Sequence, residues 1–496
     1  MDDFTWFVEF GQVGEQYVWA LLDMQDYVHF WRNAADQAWF KQHPALQGLT
    51  EDQLFHTIPL ALHCDGAEMY TNCEFYVWSV SSLLPCEHHG RHVLDDKFQF
   101  LKIPHESMRD AGIKADVMRW VPMYIAWNCD ITATGTPPAH DFYGNAWQPG
   151  TTMEQLHHKG VRCLFGPWRA IFAGVKSDLK AKKEMHFLNR SYQHMHMCDE
   201  CTAVQPFPSV LRSPALQEHL YTDVSPGASW RASRRSHEAY MLEPVVSPWT
   251  IIPGFRRELM FWDYMHLGPL GVYRDVVAGA CLDLLLRGHL DALGESHDAK
   301  LCGLWIAFRE WCKSKQRQPP TGSLSMRLIG RTTAANFPEL HSRYKAVTTK
   351  WLLVFISEFC NGRCMLREEH DKVLAACLWA ASEFVYVTDH THFILSDHEI
   401  ERLRHAQWLF EQTCAWLCGA TKVDKIFRPR PKFHYMAHLQ HQCEDLKINP
   451  RDLACWEDES FLGLCCRLTK ACHGASVLRT SLQRYMICLG LRWMKD

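Results

Sequence analysis

The sequence predicts an α/β protein, a mixed sheet with flanking helices whose chain is interrupted by a large, mostly α-helical insertion. Three observations lead to this reading. Short apolar runs of β-type composition cluster between residues 56 and 104 and recur near residue 170. From about 196 to 425, apolar residues recur at the three- and four-residue spacing of long helices. Short mixed elements then return to the end of the chain.

Residues 1–50 read as a helical lead-in, carried by VWALLDMQDYVHFWRNAADQAWF. Residues 51–195 form the first part of the sheet core. TIPLALHCD, FYVWSVSSLL and KFQFLKIP are its first strands, each ended by Pro, Gly or charged residues. The Gly/Pro-rich TATGTPPAHDFYGNAWQPG is a loop, and WRAIFAGVKSD is a further buried strand. Residues 196–425 are the insertion, with RDVVAGACLDLLLRGHL, KAVTTKWLLVFISEFC and HDKVLAACLWAASEFVYV as helices. Residues 426–496 complete the core: KFHYMAHLQHQC as a helix, DLACW as a short strand and EDESFLGLCCRLTKACHG as a closing helix.

Composition narrows the function classes. With 47% hydrophobic residues in 496, the chain can fill sizeable cores and is not a disordered polymer. A net charge of -4 does not mark the whole chain as a nucleic-acid binder, so such contact must come from local basic patches. The opening MDDFTWFVEF is acidic where a signal peptide is basic, and no apolar run approaches the ~20 residues of a membrane span. A nuclear or cytoplasmic protein, neither secreted nor membrane-bound, is expected. Its 21 cysteines are therefore expected to be reduced and mostly buried. Its 20 tryptophans are read as packing rather than base-stacking platforms.

Three carboxylates stand out. Asp65 closes the first β-run, with Gly66 after it to turn the backbone away, and Asp178 closes the strand RAIFAGVKSD. Glu459 opens the last helix, whose Phe461, Leu462, Cys465 and Leu468 are expected to face the sheet. If the two strands are adjacent, the three carboxylates converge. Clustered carboxylates repel unless cations hold them, and oxygen ligands suit magnesium, so a site for two Mg2+ ions and phosphodiester chemistry is expected. Asp at a strand end is more often a turn residue, which is the alternative for each.

Cys198 and Cys201 have zinc-ligand spacing, and His434 and His438 lie four apart on one helix face. Together they are a candidate structural zinc site, with His266 a competing ligand and His194 and His196 nearby donors; ordinary buried thiols and core histidines are the alternative. Asp263 and His266, three apart at a helix start, read as a hydrogen-bonded structural pair. The basic run KSDLKAKKE offers Lys176, Lys180, Lys182 and Lys183 as phosphate contacts, with RASRRS and RPRPK as further patches.

The order of LHCDGAEMY, FAGVKSDLK, HMCDECTA, FWDYMHLGPLGVYRDVV, KFHYMAHL and CWEDESFLGLCCRL resembles that of CACTA-type (En/Spm-like) DDE transposases across about residues 56–490. The matching positions are Asp65-Gly66, Asp178, Cys198 and Cys201, Asp263 with Met265 and His266, and Glu459 with Gly463. The resemblance implies an RNase H-like catalytic core split by a helical insertion, DNA as the partner, cut-and-paste strand transfer, and possible self-association. The first 50 residues show no counterpart of the family's DNA-binding region, and Cys64 and Ala67 flank the first Asp. These departures leave a second expectation: a domesticated or degenerate transposon-derived protein acting as a binding or structural module.

Overall fold

The computed structural model describes residues 24–55, 57–70, 73–83, 87–88, 91–92, 98–104, 149, 169–243, 245–252, 254–363, 368–470, 472, 480–481, 483–485 and 487–488. The main elements are α1 (Met24–Ala34), β1 (Thr57–Tyr70), β2 (Cys73–Ser82), β3 (Phe98–Pro104), β4 (Arg169–Lys176), α2 (Leu179–Met185), α3 (Tyr273–Leu286), α4 (His297–Ser314), α5 (Ala346–Arg363), α6 (Glu369–His390), α7 (Asp397–Ala420), α8 (Pro431–Leu446) and α9 (Trp456–Lys470). The protein is mixed α/β. It divides into two compact units, one drawn from 1–189, 236–261 and 452–496, the other from 190–235 and 262–451. The expected lead-in before residue 24 and the expected loop, Pro149 apart, lie outside the described residues.

The first unit is built on a four-stranded sheet in the order β3-β2-β1-β4. β1 pairs antiparallel with β2, which pairs antiparallel with β3, while β4 lies parallel to β1. Side chains alternate along a strand, so Leu60, Leu62 and Cys64 share one face. With Phe172 and Val175 of β4 they pack on Ala181 and Met185 of α2 and on Tyr240, Trp249, Ile252, Phe255 and Met260. Phe172 stacks on both Trp249 and Phe255, at 6.0 and 6.2 Å between ring centroids. Truncating the fully buried Trp249 to Ala would cost about 3–5 kcal/mol. The β1/β4 register slips by one residue between Leu60 and Ala61. Gly174 follows the slip at φ 154°, and a Cβ there would lie 2.3 Å from the Phe261 ring. Only glycine fits.

This core explains a change in the expected boundaries. Residues 236–261, placed by pattern in the insertion, belong with the sheet because their aromatic residues fill its buried face. The long excursion leaves after Phe261, whose N–H donates to Val175 O (2.9 Å). It returns at Asp452, whose carbonyl accepts from Lys176 Nζ (2.7 Å). Departure and return thus meet neighbouring residues of β4. The short strand expected at DLACW is instead a turn. Asn449 Oδ1 accepts from Arg451 N–H (3.0 Å), an Asx turn that bends the chain before a strand can start.

The second unit is helical. α3 is buried almost all round, as the central helix of a bundle is. α6 and α7 form an antiparallel hairpin whose second helix opens with a capping box, Ser396 to Glu399 N–H and Glu399 back to Ser396 N–H. Pro431 stands at the first position of α8, where its missing N–H costs nothing. α8 belongs to this unit rather than to the sheet core, because Phe433 stacks on Phe410 of α7 (5.6 Å) and Tyr435 on Trp262 (5.3 Å).

Candidate metal centres

In the helical unit, Cys198 and Cys201 sit at the tip of a tight turn. Met197 N–H donates to Ala203 O and Gln205 N–H to Met195 O, and His196 bridges Val204. Glu200 N–H donates to Cys198 Sγ and Ala203 N–H to Cys201 Sγ, both at 3.4 Å. Such bonds favour sulfur carrying negative charge. Arg190 donates to the carbonyls of Cys198 and Cys201, and Tyr435 OH to that of Met197. The turn is therefore held in place from outside.

The helical repeat of α8 brings His434 and His438 to the same spot. Ligand atoms of the two cysteines and two histidines all lie within 4.8 Å of one another. Cys201 Sγ is 3.3 Å from His434 Nε2, which is 3.1 Å from His438 Nε2. One hydrogen or lone pair on His434 Nε2 cannot point at both neighbours. Ligands around a tetrahedral zinc ion, with bonds of about 2.0–2.3 Å, stand roughly 3.3–3.6 Å apart, so one ion between these atoms fits the set. All four side chains are buried, His438 completely. Burial pushes the Cys198 thiol well above its usual range, so an ion entering here would displace a proton from sulfur. Trp230 packs edge-on against His434 (4.3 Å), and Trp262 lies parallel to His438 (6.1 Å). Glu200 Oε2 is 3.6 Å from His438 Nδ1, on the far side of the ring. His194 and His196 are exposed and stand apart from this group, and His266 pairs with Asp263. Asp263 also caps the helical turn of residues 264–267, accepting from Met265 N–H.

In the sheet unit, Asp65 does not end its strand: β1 continues to Tyr70, with Asp65 opposite Val77. The hairpin partner β2 sustains the strand past Gly66, so the glycine does not turn the chain there. On the other side, the last β1/β4 pair is His63 with Lys176. Asp65 and Asp178 each lie two residues beyond it. Asp178 follows the strand and caps α2, its Oδ1 accepting from Ala181 N–H (2.6 Å). Glu459 is the fourth residue of α9, within its first turn as expected though not at its start. All three carboxylates are half-buried. They are not among the groups of side chains whose ligand atoms lie within 4.8 Å of one another.

The residue of α9 turned toward β1 is Asp458. It is 1% exposed, and its Oδ1 lies 3.7 Å from His63 Nδ1. Phe461, Leu462 and Cys465 are buried on the same stripe, while Leu468 is only half-buried and Thr469 takes the inner position. His63 and Asp65 share a face of β1, so Asp65 lies on the face that α9 covers.

Two of the four lysines expected to meet phosphate are turned into the fold. Lys176 and Lys182 are buried, and their ammonium groups donate to Asp452 O (2.7 Å) and Met260 O (2.9 Å). α2 packs its Ala181, Lys182 and Met185 positions inward. Lys180 remains exposed and Lys183 half-buried. The arginine patches are largely paired: Arg231 with Glu411, Arg234 with Asp445, and Arg430 with Asp275 and Glu339.

No family model matches the sequence, and no curated protein matches it.

Proposed function

We propose that the sheet unit is an RNase H-like core and that the protein is a transposase-like enzyme, cleaving and joining DNA strands by magnesium-dependent phosphodiester chemistry. One observation carries this reading: Asp65 on β1 and Asp178, just beyond the end of the parallel neighbour β4, each lie two residues past the last pair of the two strands. Neighbouring strands are about 4.8 Å apart. The mixed strand order and the return of an acidic helix start to the face of Asp65 also support it. Asp65, Asp178 and Glu459 would hold the magnesium. Bound there, magnesium supplies the positive charge that activates an attacking oxygen and stabilises a leaving one. The chain's own part is to fix one carboxylate on a strand and one at the strand-to-helix junction beside it, and to leave both open enough for a phosphate to approach. Lys180 and Lys183, beside Asp178, would meet the DNA backbone. Cys198, Cys201, His434 and His438 would hold a structural zinc ion.

A second reading has a specific observation in its favour. Asp178 is committed as a helix cap, and the acid buried against β1 is Asp458 rather than Glu459. A transposon-derived binding module that has lost catalysis would tolerate both. Incubating the purified chain with supercoiled DNA and Mg2+ or Mn2+ decides between them. Nicking that disappears in Asp65→Asn supports the enzyme; DNA binding without nicking supports the module.

A further inference from the structure

A second cluster of metal-ligating side chains lies on the covered face of the sheet, and the function proposed above does not use it. His63 of β1, Cys455 just before α9 and Asp458 in its first turn place one ligand atom each within 4.8 Å of the others. They are 3%, 1% and 1% exposed. We propose that His63, Cys455 and Asp458 form a metal centre for a zinc-class divalent ion, fastening the start of α9 to β1.

Geometry and chemistry both point to a soft or borderline ion. The 3.7 Å between His63 Nδ1 and Asp458 Oδ1 exceeds hydrogen-bond reach. It is close to the roughly 3.3 Å that separates nitrogen and oxygen ligands of one tetrahedral zinc ion. Imidazole, thiolate and carboxylate together are a zinc donor set, whereas magnesium takes oxygen. Three protein ligands with water in the fourth place is a coordination that zinc accepts. The ligands come from segments far apart in sequence, so the ion would act as a cross-link between the first strand and the last long helix. Because Asp65 and Glu459 flank His63 and Asp458 in sequence, the centre would also set the spacing of two candidate catalytic carboxylates.

The test uses the full chain passed over a weak chelating resin and analysed for zinc by mass spectrometry. The expected content is about two equivalents in the wild type, about one in Cys455→Ser and about one in Cys201→Ser. Wild-type zinc that Cys455→Ser leaves unchanged overturns the proposal. Should Cys455→Ser fail to fold, cobalt titration of the metal-stripped wild type decides instead. Two successive phases, the two differing in the strength of sulfur-to-cobalt absorption, support a second centre with a single thiolate; saturation at one equivalent overturns it. Neither outcome depends on DNA cleavage, so the proposal can fail while the enzyme reading stands, and the reverse.

Discussion

In the helical unit, Cys198, Cys201, His434 and His438 are all buried, the two sulfurs held by backbone N–H groups and the two imidazoles walled by Trp230 and Trp262. At the sheet, Asp65, Asp178 and Glu459 are each half-open to solvent. The difference separates two uses of ligating side chains. A closed four-ligand shell leaves no position for a substrate and suits an ion that stabilises a fold. An open acidic edge contributes little to stability and leaves room for a phosphate. Disturbing the first should therefore unfold, and disturbing the second should inactivate.

The largest effect is expected at the closed centre. Cys201→Ser or His434→Ala should lower the stability of the helical unit by about 4 kcal/mol or more, the range reached when a metal ligand is lost. Chelator should reproduce much of this loss in the wild type. Thermal unfolding with and without chelator measures it, and a variant as stable as the wild type would remove the distinction drawn here.

Next comes the open edge. Asp65→Asn and Asp178→Asn should reduce magnesium-dependent cleavage by more than about 100-fold, since even the outer partners of a metal site cost 10–100-fold. Stability should hardly change, because Asn still caps α2. Asp178→Ala, by contrast, should also lose about 1 kcal/mol with the cap. Single-turnover cleavage beside denaturant unfolding separates the two effects.

Acid should act on the sheet unit through its buried histidines. Burial lowers His43 to about 4 and, with the nearby Lys182 charge adding to it, His186 to about 3. Below the ordinary value of 6.5, the unfolded chain binds protons that the folded chain refuses. Stability is thus full above pH 6.5 and falls as pH drops through the folded values. For His43 the loss approaches about 3 kcal/mol. His43→Gln should flatten the dependence between pH 6.5 and 4, as read by urea unfolding across that window.

The smallest effect is expected on α2. Lys180→Gln should reduce the salt slope of DNA binding by about one, with folding unchanged. Lys182→Gln should instead destabilise the fold, since its ammonium bonds Met260 O in the interior. Equal effects of the two substitutions on DNA binding would contradict the burial pattern.

These cases also show what could be read from the chain. Both halves of the Cys/His centre were visible as local spacings, and the fold brings the halves together. The strands were visible because Leu60, Leu62 and Cys64 alternate with residues of the other face. The burial of Lys182 was not, since a lysine in a basic run reads as solvated until its helix is docked. Asp458 was within reach: it stands three and four residues before Phe461 and Leu462, on the stripe already identified as facing the sheet. An acid on an apolar stripe is a signal in itself, because a buried carboxylate needs a partner. The turn at DLACW was hidden because its cause, Asn449, precedes the apolar residues and acts through a side-chain bond.

The excursion that leaves after Phe261 and returns at Asp452 also orders events during synthesis. α9 cannot reach β1 until residues 262–451 have been made, which at about 5–20 residues per second takes roughly 10–40 s. By the end of that interval the helical unit has all of its sequence, including both halves of its Cys/His centre, while the sheet still waits with the face of His63 and Asp65 uncovered. The nascent chain should thus gain its closed centre before its acidic edge is assembled, and truncation before α9 should leave a folded helical unit attached to an incomplete sheet.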